Sequence, residues 1–342
     1  MRAALERLGR AAFACLLILT AALAASSCSR PEPGFRVAVV GFPAGGWEEG
    51  RNLIAEYGAR RAEGVLGAGV DFILPEEGGD LGYLFDAEGE PYDLVISLGS
   101  SSRAVLEARP QGWGGAVVAL DFEPSEPVTG EGEVTVVRYR VEEGTYLCGY
   151  LAAWLSARGS HPLTNAKPLV AFIGSRDYPL LSYFTSGFDR GVKAGATNAD
   201  SLDYYLERGD DTKAARALAE EAVKKGADVI FCSPGDFNTE VLKVAAEKGV
   251  LVILSGPDRS GESPGHVLTS LVFRDDNAIF EAVREAMDGE LSPGKAVWGG
   301  EQGTWSLAPY HAHDGYIGRE LREALAEQML KARDMDFSVP SP

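Results

Sequence analysis

Positive charge is scarce in this chain. Lys and Arg number 32 against 50 Asp and Glu, a formal net charge of −18 over 342 residues. Binding a phosphate backbone needs a basic footprint, so nucleic acid is excluded as a partner. Contact of the folded surface with anionic lipid is disfavoured for the same reason. Cysteine and histidine are also sparse, four of each. His161, His266, His311 and His313 are scattered; no cysteine pair has metal-ligand spacing, and His311 and His313, two residues apart, give only a weak metal signal. Cys148 and Cys232 each lie in an apolar run, which fits two buried thiols or, in an oxidising compartment, a disulfide. The first strand–loop–helix unit has neither G-x-G-x-x-G nor G-K-[ST], and the chain shows no H-E-x-x-H or G-x-S-x-G. These absences point away from an enzyme and from a bound cofactor. The enzyme alternative has only a carboxylate pair such as Asp177 and Asp258 to rest on.

What the chain does have begins with an export signal. Arg2, Arg7 and Arg10 precede an apolar run from Ala11 to Ala25, too short for a confident membrane span. Small residues then lead to Cys28, so residues 1–27 read as a lipoprotein signal peptide and Cys28 as the lipidated residue. A plain secretory signal cleaved nearby is the alternative. Residues 28–34 are polar and Pro-containing, suited to a tether.

The rest alternates strand and helix, which implies parallel sheets. FRVAVVGF, VDFIL, YDLVISLGSSS, GAVVALDF and the run from Val134 to Val141 are five strands. The most informative stretch follows, from Glu142 to Gly195. Tyr146, Leu147, Tyr150, Leu151 and Trp154 recur at spacings of three and four, one apolar helix face, and Gly159 ends that helix. LVAFIG is a continuous apolar run, as in a strand buried on both faces. Ser175–Pro179 is a loop at the strand's C-terminal end, where open α/β sheets bind ligands. Helical spacing resumes from Ser182 to Ala194. Further strand–helix units lead to short strands at Ala296–Trp298 and Trp305–Leu307, then a last amphipathic helix from Gly318 to Arg333. Two similar runs, one on each side of Glu142, suggest two α/β lobes with a cleft between them.

EEGTYLCGYLAAWLSARG, VAFIGSRDYPLLSYFTSGFDRGVKAG, GADVIFCSPGDFNTEVLKVAAEKGVLVI and VLTSLVFRDDNAIFEAVREAMDGE occur in an order that resembles the basic membrane protein (BMP) family. That family comprises lipoprotein solute-binding components of ABC importers whose characterised members bind purine nucleosides. The resemblance covers roughly residues 36 to 310. It implies the type I periplasmic-binding-protein fold, an α/β chain of two lobes with parallel sheets and a hinge of three crossovers. One lobe would hold 35–141 plus 275–342 and the other 142–274. It implies a nucleoside-like small-molecule solute, an ABC permease as partner, and a membrane anchor through Cys28 on the periplasmic or cell-surface side of a bacterial membrane.

The family's first loop reads roughly D-x-G-G-x-x-D-x-S-F-N. Here its first Asp falls on Phe42, its second on Trp47 or Glu48 and its Phe on Arg51, while its Asn is kept as Asn52. Its V-D-S-D segment becomes Ser255-Gly256-Pro257-Asp258. The Lys of its S-V-V-K falls on Phe273, with Arg274 next. The resulting candidates are Phe42, Trp47 and Phe273 as stacking surfaces, and Asn52, Gly99, Ser100, Asp177, Asp236, Asp258 and Arg274 as polar contacts. Because so many family positions are replaced, an alternative stays open: a degenerate relative serving as a surface sensor or interaction lipoprotein that binds no nucleoside.

Overall fold

Short apolar runs bounded by Gly, Pro and acidic loops become strands buried on both faces, and the longer amphipathic segments between them become the covering helices. The computed structural model describes residues 34–337 except 46, 77, 87–90, 125–133 and 166. The expected signal peptide, Cys28 and nearly all of the tether lie outside the described residues.

From Phe35 onward the described chain forms one compact unit built on two six-stranded sheets. The first has the order β2-β1-β3-β4-β5-β11, with β1 Arg36–Val40, β2 Gly69–Ile73, β3 Leu94–Leu98, β4 Ala116–Leu120, β5 Val134–Tyr139 and β11 Gly294–Trp298. The second has the order β7-β6-β8-β9-β10-β12. Its strands are β6 Leu169–Ser175, β7 Asp200–Leu206, β8 Val229–Cys232, β9 Leu251–Gly256, β10 Val267–Phe273 and β12 Trp305–Leu307. Setting the last strand of each aside, both are doubly wound 2-1-3-4-5 sheets, whose order reverses beside the first strand. The covering helices are α1 Asn52–Leu66, α2 Ser101–Ala108, α3 Val141–Arg158, α4 Leu181–Gly195, α5 Thr212–Lys225, α6 Asn238–Lys248, α7 Asp275–Asp288 and α8 Arg319–Asp334.

The chain crosses between the sheets three times: from β5 into α3, from β10 into α7, and from β11 into β12. This is the two-lobed, three-crossover arrangement implied by the sequence. The crossovers are bonded to one another. The Arg140 amide donates to the Trp298 carbonyl (2.8 Å) and the Arg274 amide to the Thr304 carbonyl (2.9 Å). The buried Glu143 carboxylate accepts from the Gly300 amide at 2.7 Å and from the Trp305 indole at 3.0 Å, and pairs with Arg140 at 3.1 Å.

The lobe boundaries differ from expectation beyond residue 275. Helix α7 and β11 do belong to the first sheet, but β12 pairs antiparallel with β10 of the second and α8 packs on α3. The third crossover explains this. It delivers the chain to the hinge end of β10, and so short a link permits only an antiparallel return. The expected one-sided helix over the Glu142 stretch is also corrected. Fifteen of the eighteen residues of α3 are buried, because α4 and α8 cover it on two sides and the second sheet on a third. Its contact with α4 is close enough to require glycine. A Cβ on Gly191 would lie 2.0 Å from the Tyr146 carbonyl oxygen, and one on Gly149 would lie 2.2 Å from that of Phe188. Cys148 and Cys232 are both buried free thiols, and burial pushes both thiols' pKa values up.

Candidate functional site

A cavity of about 550 Å³ lies between the lobes. Its described walls come from loops that follow the C-terminal ends of strands in both sheets, together with Arg103 of α2. The loop after β1 supplies Trp47 and Glu48, that after β3 supplies Gly99 and Ser100, and that after β4 supplies Asp121, Phe122 and Glu123. From the second lobe, the loop after β6 supplies Asp177 to Leu180, that after β7 Gly209, and that after β8 Pro234, Gly235 and Asp236. Both switch points therefore open into one cleft, where doubly wound sheets hold ligands. Trp47 reaches across it and meets Tyr178 edge to face, with centroids 6.0 Å apart and planes at 82°.

On the second-lobe side, the loops brace one another through backbone groups. Asp177 accepts from the Gly209 amide with both carboxylate oxygens at 3.1 Å and from the Ser175 hydroxyl. The Gly209 carbonyl in turn accepts from the Phe237 amide at 3.0 Å.

The first-lobe side stands on a buried charge network. Arg51 is wholly buried. Its guanidinium donates to both oxygens of Asp275, at 2.9 and 2.6 Å, and to Asp121 Oδ2 at 2.7 Å. The Tyr139 hydroxyl donates to Asp275 at 3.1 Å. The rings of Phe42, Phe273 and Trp47 surround the guanidinium, with centroids 4.5, 4.4 and 5.7 Å from its carbon. Burial works against this cation, but Asp275 and Asp121 outweigh it and hold its pKa above the ordinary arginine value. Burial raises the pKa of Asp121, against the pull of Arg51. It also raises that of Glu48, which hydrogen-bonds Ser100. Asp121 sits at φ 52°, a left-handed conformation that Asp tolerates better than most residues and that recurs at ligand clamps. Its Oδ1 and the Tyr178 hydroxyl, one from each lobe, are buried without a hydrogen-bond partner among the described residues.

Of the ten candidates from the sequence, Trp47, Gly99, Ser100, Asp177 and Asp236 line this cleft. The other five lie elsewhere among the described residues. Phe42 and Phe273 are fully buried and pack on Arg51, so their faces serve an internal cation. Asn52 fastens the loop after β1, exchanging hydrogen bonds with the backbone of Phe42 at 2.8 and 2.9 Å. Asp258 and Arg274 line a different groove, beside Leu53, Ile54 and Tyr57 of α1. There Asp258 accepts from the Ser260 amide at 2.9 Å and meets His311 at 3.3 Å, while Arg274 forks onto Asp276 at 2.8 and 2.7 Å. Lining residues outside the ten include Arg103, Asp121, Phe122, Glu123, Tyr178 and Glu48, the last offered by the alignment as one position for the family's second Asp. For Asp121 a signal existed: GAVVALDF carries a carboxylate just past a parallel strand's C-terminal end. For Arg51 none did, because Asp275 lies 224 residues away.

Two α/β lobes joined by three crossovers, with strand-end loops of both meeting in one cleft, define the class of type I periplasmic binding proteins. The chain belongs to the Bmp family, described as ABC transporter substrate-binding protein PnrA-like, whose model matches residues 77–309. Basic membrane protein B of Borreliella burgdorferi is 27% identical over 184 residues, 53% of this chain and 49% of that protein. The CD4+ T-cell-stimulating antigen of Listeria monocytogenes is 24% identical over 269 residues, 73% of this chain and 70% of that one. The chain spans about half the length of the Borrelia and Borreliella basic membrane proteins B that it matches, between 42% and 49%. An ABC transporter solute-binding protein from Aeropyrum pernix superposes with a TM-score of 0.66 at 20% identity, covering 90% of this chain and 94% of that one. At that identity the likeness speaks for the fold alone.

Proposed function

We propose that this chain is the solute-binding lipoprotein of an ABC importer, anchored at Cys28, that captures a small polar, nucleoside-like ligand between its lobes and delivers it to a permease. The observation that carries the reading is the cleft itself. Its volume falls in the range of small-molecule sites, roughly 300–1,000 Å³, and its walls come from strand-end loops of both sheets. Trp47 and Tyr178 supply aromatic surface for a flat ring, and Glu48, Asp121 and Asp236 supply acceptors for hydroxyl or amino donors. Family membership supports solute capture as the role. The anchor is tested by Cys28→Ser, which is expected to leave the protein in the soluble fraction; continued membrane association after removal of the leader would count against it.

One observation favours the second reading, a sensor or interaction lipoprotein without nucleoside binding. Two of the rings that alignment offers for stacking, Phe42 and Phe273, are committed to Arg51. Thermal-shift titration with purine and pyrimidine nucleosides separates the two. A true ligand at ~100 times its Kd adds about 2.7 kcal/mol of stability. Unchanged melting across nucleosides, together with no small molecule released from the purified protein on denaturation, would leave the second reading.

A further inference from the structure

The cleft is chemically lopsided. Among its described lining residues Glu48, Asp121, Glu123, Asp177 and Asp236 are carboxylates, and Arg103 is the only cation. Three of the carboxylates are engaged by neighbours: Asp177 by the Gly209 amide, Glu123 by Arg138 and Lys295 at 3.7 and 3.9 Å, and Glu48 by Ser100. Behind the wall, Arg51 is shared between Asp121 and Asp275, so one guanidinium serves two buried carboxylates, with Glu48 close by. A separate observation points the same way. The Asp121 side chain is only 5% exposed, yet its Oδ1 has no donor among the described residues. A buried acceptor left empty is costly, and a donor carried by a ligand would relieve that cost. Across the cleft the Tyr178 hydroxyl is similarly unpartnered, and its ring adjoins Trp47.

We propose that the cleft selects an organic cation: a ligand that presents a positively charged, hydrogen-bond-donating group to Asp121 and Glu48 and lays a flat or apolar part beside Trp47 and Tyr178. This rests on reading the cleft as a solute site and narrows it. In a poorly solvated cleft a cation relieves repulsion among the carboxylates, a neutral solute leaves it, and a phosphorylated one adds to it. The aromatic pair favours the cation further, since ring faces attract positive charge.

The test is calorimetric titration of the full mature chain with four probes at pH 7. Adenosine is neutral, 1-methyladenosine is a cation of nearly the same shape, adenosine monophosphate is an anion, and tryptamine is a ring-bearing cation without ribose. Expected is a preference for 1-methyladenosine over adenosine of about tenfold or more, the scale of one charge-assisted hydrogen bond, with no binding of the monophosphate. Glu48→Gln and Asp121→Asn are each expected to shrink that preference towards unity. Glu48→Gln keeps the test alive if the Asp121 variant fails to fold. Binding of tryptamine alone supports the cation inference and removes the nucleoside. Adenosine bound as tightly as 1-methyladenosine, with neither variant changing the ratio, overturns the cation inference and leaves solute capture standing. If none of the four binds, the cation inference falls, and solute capture is judged by the released-ligand and thermal-shift measurements.

Discussion

Beneath the cleft the first lobe places Arg51, Asp121, Asp275 and Tyr139 in one hydrogen-bonded cluster. At the matching depth the second lobe places phenylalanines. Phe184 and Phe188 stack on Phe231 at 6.0 and 5.2 Å, Phe172 joins them at 5.8 Å, and Tyr178 stands on Phe184 at 5.4 Å. The strand orders of the sheets match, so topology did not force this difference. The phenyl layer supports loops braced through Asp177, Gly209 and Phe237, with the Tyr178 hydroxyl left without a partner among the described residues. The charged layer supports a wall with one unmet acceptor among the described residues, Asp121 Oδ1. The comparison teaches that one repeated fold can stand the two walls of its cleft on different layers, aromatic in one lobe and charged in the other.

The hardest blow to this comparison is Arg51→Ala. It leaves two buried carboxylates facing each other without their cation, a loss of about 3–5 kcal/mol. Urea unfolding measures it, and a loss below ~1 kcal/mol would mean that the network is better solvated than the geometry allows. Next comes the close helix contact of each lobe. In the second, Gly191→Ala pushes a methyl group into the Tyr146 carbonyl; in the first, Gly58→Ala meets the Asp276 backbone at 2.5 Å. Both should lower stability by about 1–3 kcal/mol, with Gly191→Ala the worse, as read from melting curves.

Trp47→Ala acts on binding. Losing ring surface and its edge contact with Tyr178 should weaken a bound ligand by roughly 2 kcal/mol, about thirtyfold. Lost stability with unchanged affinity would make Trp47 a packing residue.

The smallest effect is a pH dependence in the second lobe. His161 is buried, with its Nε2 3.0 Å from His313 Nδ1 and the Tyr316 ring against it. Burial, then His313, lowers its pKa to about 4, and burial lowers that of His313 too. The unfolded chain therefore binds more protons between pH 6.5 and 4, and these histidines cost stability as pH falls through that window. Asp203 and Asp228 oppose them. Burial raises both to about 6, so each gives back stability as pH falls from 6 towards 4. The His161→Gln variant, compared with the parent at each pH, isolates the histidine part. Parallel profiles would show that His161 takes up its proton over the same pH range in the folded and unfolded states.

Much of the fold was legible because parallel strands buried on both faces write themselves as uninterrupted apolar runs. LVAFIG and GAVVALDF are examples, and Gly159 closes α3 at φ 55°. The lobe assignment of the last segment was not legible, since β12 is three residues long and its partner is fixed by where the crossover sets it down. In the site, Trp47, Gly99, Ser100, Asp177 and Asp236 could be placed because each follows a strand end. Phe42 and Phe273 could not be told from stacking residues, because what claims their faces is Arg51, brought there by a pairing that spans most of the chain. Asp258 and Arg274 were misplaced for a simpler reason: each follows a strand end, but each turns to the α1 side of the hinge.

The antiparallel return of β12 has a consequence for the order in which the protein is made. Helix α3 emerges early, but one of its flanks is covered by α8 and the residues after it: the Tyr146 hydroxyl meets Gln328 at 2.6 Å and its ring meets Phe337. That cover is translated nearly half a chain later, a delay on the order of ten seconds or more at ordinary elongation rates. The first lobe waits as well, since β11 closes the edge of its sheet beside β5. Both lobes therefore take a late covering element, β11 in one and α8 in the other, from the C-terminal part of the described chain.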